Sequence, residues 1–60
     1  MKILKIEDYN YSIVYVEDGN ESTVYKRFVN GNWMYLNGNS WSDVKNIDQL
    51  EKLFKEKKYN

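Results

Sequence analysis

Three dipeptides, Asp18-Gly19, Asn30-Gly31 and Asn37-Gly38, constrain the fold of this chain more than any other feature of its sequence. Each follows a run rich in β-branched and aromatic residues: Tyr11 to Glu17, Ser22 to Val29, and Trp33 to Leu36. Asp-Gly and Asn-Gly between such runs are the strongest short hairpin signals, because both residue types tolerate the positive φ of type I′ turns. Three of them between residues 18 and 38 predict an antiparallel meander. Met1 to Ile6 is β-prone and precedes Glu7-Asp8-Tyr9-Asn10, a turn-like stretch, so it is expected to pair as the first strand. Trp41 to Val44 reads equally as a brief last strand or as an extended connection.

The C-terminal segment changes period. Asn46 can cap a helix beginning at Ile47, with Gln49 completing a capping-box-like pattern. Ile47, Leu50, Leu53 and Phe54 then share one face at helical spacing. Asp48 with Lys52, and Glu51 with Lys55, stand four apart as favourable pairs. Lys52, Lys55, Lys57 and Lys58 follow the acids, which complements the helix dipole and gives these lysines a structural role. No repeat, low-complexity segment or linker interrupts the chain. The expected fold is α+β: one domain over residues 1–60, a small three- to four-stranded antiparallel meander followed by one C-terminal helix.

The strands do not alternate as a half-exposed sheet should. Tyr11, Ile13 and Tyr15 lie on one face of their strand and Ser12, Val14 and Val16 on the other. The next strand sets Val24, Lys26 and Phe28 against Thr23, Tyr25, Arg27 and Val29. With apolar groups on both faces, both are expected to be covered, one by the helix and one by another chain. Size argues the same way. A chain of 60 residues buries only about 60% of the surface its unfolded form exposes, and such scaffolds usually need a staple. The absence of cysteine rules out disulfides, and the absence of histidine removes the commonest metal ligand. Oligomerisation is left, so a homodimer is expected.

Catalysis finds no residues to run on. Without histidine or cysteine there is no Ser-His or Cys-His pair. The three glycines are isolated turn residues rather than a phosphate cradle. Glu7-Asp8 and Glu17-Asp18 flank turns, where solvent keeps carboxylates ordinary, and Asp18, Asn20 and Glu21 lack the spacing of a calcium loop. No enzyme activity, metal or cofactor is expected. No apolar run approaches the roughly 20 residues of a membrane span, and Met-Lys-Ile-Leu-Lys-Ile lacks a signal-peptide core. The expected location is the cytoplasm.

Binding is what the composition favours. Aromatic residues make up 17% of the chain, more than so small a core can hide. The richest stretch runs from Asn30 to Trp41, with Trp33 and Tyr35 two apart on one strand face between asparagine-rich turns. Rigidly displayed aromatics lose little entropy on binding. Tyr25, Arg27, Trp33 and Tyr35 are therefore the candidate partner-binding residues, with the inner core beneath the helix an equal alternative for Trp33 and Tyr35, whereas Trp41, next to the helix, is expected in the core with Leu50 and Phe54. Nine basic residues balance nine acidic ones, which disfavours nucleic acid as the ligand. In the alternative reading, a small module for single-stranded nucleic acid, the strand aromatics stack on bases while Lys26, Arg27 and the terminal lysines meet phosphates.

Abundant lysine, asparagine, tyrosine and isoleucine, with no alanine or proline, point to an AT-rich genome such as that of a low-GC Gram-positive bacterium or its phage. The pattern Asn32-Trp33, then Gly38-x-Ser40-Trp41, then Leu50-Glu51 resembles short early proteins of phages and prophages of low-GC bacteria. The resemblance covers the C-terminal half. It implies a stoichiometric inhibitor of a bacterial host enzyme or antiphage-defence protein, acting in the host cytoplasm. The chain is similar in size to uracil-DNA glycosylase inhibitors, but those are markedly acidic and this chain is neutral, which speaks against DNA mimicry.

Overall fold

The computed structural model describes residues 1–59. Five strands follow one another in space as in sequence: β1 (Lys2–Asp8), β2 (Tyr11–Asp18), β3 (Glu21–Phe28), β4 (Trp33–Asn37) and β5 (Ser40–Asp43). Every neighbouring pair is antiparallel. One helix, α1 (Asp48–Tyr59), closes the fold. The meander and the C-terminal helix are thus as the sequence predicts, with one strand more. That strand is Ser40–Asp43, which pairs Leu36 with Trp41 and Met34 with Asp43.

The hairpins differ in detail from the expected type I′ turns. Asp18 and Glu21 close one pair and Asn37 and Ser40 another, so the two-residue loops are Gly19-Asn20 and Gly38-Asn39. Gly19 (φ 64°) and Gly38 (φ 67°) take the left-handed region, and no other residue type among those described does. A glycine at the first loop position followed by a residue of negative φ is the type II′ arrangement, which suits the twist of the flanking strands equally well. Asp18 and Asn37 therefore end strands rather than form the loops.

The core sits between α1 and one sheet face. Ile3, Val14, Val16, Trp33, Leu50 and Phe54 are buried, with Ile6, Tyr25, Val44, Ile47 and Leu53 packed around them. Valines on β2 leave a shallow floor, and the Trp33 and Phe54 rings fill the space above it edge-to-face, 5.8 Å apart. Asn46 caps the helix, its Oδ1 accepting from the Asp48 amide at 3.2 Å. The expected pairing of Glu51 with Lys55 is replaced by a tertiary one. Arg27 Nε and Nη2 donate to the Glu51 carboxylate at 2.9 and 3.1 Å, and the guanidinium lies 4.5 Å from the Phe54 ring centre.

Burial alone would raise the Glu51 carboxyl, but hydrogen bonds from Arg27 and Trp33, with the Arg27 charge, outweigh it and hold the group below its ordinary value. Asp8 is lowered too, by the hydrogen bond from Lys58, which ties the end of α1 to β1, and by that from Ser12 on β2. A carboxyl lowered on folding contributes fully above its unfolded value, about 4, and loses that contribution as pH falls through the folded value. Thermal melts are therefore expected to fall in midpoint between pH 7 and pH 3. Glu51→Gln is expected to cost about 1–3 kcal/mol at neutral pH, the worth of a hydrogen bond to a charged group. It should also flatten the acid dependence; a melt as acid-sensitive as that of the parent chain would show that Glu51 does not set it.

Candidate interaction surface

Strict alternation along the strands sends every second side chain away from α1. On that far face lie Tyr11, Ile13 and Tyr15 of β2, Val24, Lys26 and Phe28 of β3, Met34 and Leu36 of β4, and Trp41 of β5. Nothing in the described chain covers this face. Its side chains are half-buried only by one another, and Leu36 is 41% exposed. Contiguous apolar surface of this kind on a small protein marks an interaction site.

Three of the six charges on the face, Glu7, Lys26 and Asp43, lie in one row, and the others, Lys2, Lys5 and Glu17, lie towards β1 and the end of β2. Register sets Glu7, Ile13, Lys26, Met34 and Asp43 side by side across all five strands. At one end Glu7 is occupied: the Tyr15 hydroxyl donates to it at 2.8 Å and the Lys5 ammonium lies 3.0 Å away. The Tyr15 hydrogen bond and then Lys5 hold the Glu7 carboxyl below its ordinary value. In the middle, the Lys26 ammonium lies 4.4 Å from the Trp41 ring centre and 4.6 Å from that of Tyr11, a cation–π arrangement. Among the described residues neither Lys26 nor Asp43 forms an ion pair.

The four residues singled out from sequence lie on the opposite face. Trp33 is 2% exposed, roofed by Phe54 and flanked by Tyr25, and its Nε1 donates to Glu51 at 3.4 Å. It is a core residue, and its place in the partner surface is corrected accordingly. Arg27 is committed to Glu51. Tyr25 and Tyr35 are cross-strand neighbours, both half-buried, beside a shallow concavity of about 430 Å³ that Thr23, Asp43, Val44 and Lys45 also line at the sheet edge. The helix leaves this corner open, so these two tyrosines remain accessible. The expected core role of Trp41 is corrected as well: it stands on the uncovered face beside Leu36, away from Leu50 and Phe54.

Sequence reasoning therefore missed Tyr11, Phe28 and Trp41 as surface residues, and named Lys26 only in the nucleic-acid reading. A signal for them was present in the size difference between the two faces of β2, where Ser, Val and Val alternate with Tyr, Ile and Tyr. A helix packs down more closely onto the small residues.

Comparison with protein-family models, curated proteins and solved structures finds no match. Function rests on the surface itself. No helix among the described residues is long and apolar enough to cross a membrane, and no group of acidic residues among them could hold a metal ion.

Proposed function

We propose that this chain is a non-catalytic binding protein of phage or prophage type that inhibits a bacterial host or antiphage-defence protein by occupying it stoichiometrically. One observation supports this above the others: a sheet face carrying Tyr11, Ile13, Tyr15, Val24, Phe28, Met34, Leu36 and Trp41 that nothing in the described chain covers. Aromatic and methionine side chains are the types enriched at the centres of protein interfaces. The charged residues registered on the face, Lys2, Lys5, Lys26, Glu7, Glu17 and Asp43, balance, and balanced charge suits a protein partner better than a phosphate backbone.

A module for single-stranded nucleic acid is the second reading, favoured by the Lys26 ammonium between the Tyr11 and Trp41 rings. Of the groups it needs, Arg27 is engaged with Glu51 and Trp33 is buried, and the terminal lysines lie on α1, across the sheet from the aromatic face.

Affinity capture with the tagged chain from a low-GC Gram-positive lysate, with and without nuclease, separates the two. A single protein recovered in stoichiometric amount despite nuclease, whose activity falls to zero in a one-to-one titration with this chain, is the expected result. Recovery that vanishes with nuclease would move the second reading to first place, and a captured protein that works normally at saturation would refute inhibition.

A further inference from the structure

The uncovered face carries information about what covers it. Lys26 and Asp43 stand on either side of Met34 in one row, on β3 and β5, with β4 between them. In the neighbouring row Trp41 is paired with Leu36, and continuing the β3–β4 register sets Val24 on the other side of Leu36. Both rows are centred on β4. One is plus–apolar–minus and the other is apolar throughout.

We infer that a second copy of this chain covers β3, β4 and β5, sheet face to sheet face, about a two-fold axis running along β4. This rests on the proposal that the uncovered face binds protein: a second copy occupies it in the free protein, and a target that binds there competes with that copy. The two-fold carries β3 over β5 of the other copy. Lys26 then meets the partner's Asp43 and Asp43 meets the partner's Lys26, while Val24 meets the partner's Trp41 and Leu36 packs on its own equivalent. An isologous contact must be self-complementary in this way, and a charge buried at an interface must find an opposite one.

Two other placements of the axis are less well matched. Along the row itself, an axis would set Lys26 against Lys26. Along β2 it would set Lys26 against Glu7, a carboxylate already held by Tyr15 and Lys5. Three strands spaced about 4.8 Å apart make an interface at the small end of the specific range, so dissociation in the micromolar range is expected. The arrangement leaves Tyr25 and Tyr35, on the helix side, open in both copies.

Charge exchange tests this. Light scattering behind size exclusion, from about 10 to 500 μM, is expected to find the parent chain moving towards twice 7.3 kDa. Lys26→Glu and Asp43→Lys each create two like-charge contacts and should weaken the dimer by about 10- to 100-fold. Mixed together, the two variants place Glu opposite Lys and Asp opposite Lys, so the mixture should recover the parent affinity. Circular dichroism on each variant alone checks that it is folded, and the mixing step then needs no further control. Single variants that dimerise like the parent, a mixture that stays monomeric, or a parent chain monomeric at 500 μM would each overturn the inference. The protein-binding proposal stands or falls separately, on nuclease-resistant capture of a target.

Discussion

Trp33→Ala is expected to leave the chain largely unfolded at room temperature. The indole is 2% exposed and meets Phe54 at 5.8 Å and Tyr25 at 5.9 Å, so its removal opens the centre of the core. Replacing a buried tryptophan with alanine costs about 3–5 kcal/mol. A domain of this length has roughly 3–9 kcal/mol in total, at 0.05–0.15 per residue, and a small core puts it toward the lower end. The substitution also strips Glu51 of the indole N–H at 3.4 Å. Near-ultraviolet circular dichroism and urea titration check the outcome. Trp33→Phe, which keeps an aromatic ring and most of the volume but loses the fused ring and its N–H, should fold with a reduced midpoint. A cooperative Trp33→Ala transition near the parent midpoint would mean that Trp33 does not organise the core.

Trp41→Ala is expected to do the opposite, keeping the fold and losing the partner. Trp41 stands on the uncovered face, with Lys26 over its ring and Leu36 beside it, and takes no part in the buried cluster. Stability should change by about 1 kcal/mol or less, as for other substitutions away from a core. Binding should fall by about 30-fold or more, since central aromatic anchors are worth 2 kcal/mol or more at interfaces. Urea titration of the variant and calorimetry against the captured target, or dimer dissociation measured by light scattering, read the two effects separately. A variant that binds as the parent does would remove the uncovered face from the function. The two tryptophans are thus expected to exchange phenotypes: one unfolds the protein, the other silences it.

That contrast marks where the sequence stops being legible. Strand positions, hairpins and the helix follow from local signals, because a turn needs particular φ values and a strand or helix repeats every 2 or 3.6 residues. Leu50 and Phe54 could be read as core for the same reason. Trp33 and Trp41 could not be sorted locally. The loop Gly38-Asn39 pairs Leu36 with Trp41 and so sends Trp41 to the face opposite Trp33, but parity does not say which face the helix will cover.

What the sequence by itself determined is the meander, the single C-terminal helix, the excess of apolar side chains over what one helix can cover, and the lack of histidine and cysteine chemistry. Tertiary structure decided the rest. It seated α1 over Ser12, Val14 and Val16, and so made Trp33 core, bound Arg27 to Glu51, and left Tyr11, Lys26, Phe28 and Trp41 half-buried on the uncovered face. The physical reason is that a strand's alternation assigns residues to two faces without ranking them. The ranking comes from volume, since a helix bearing Leu50 and Phe54 packs closely only on the face whose β2 side chains are small.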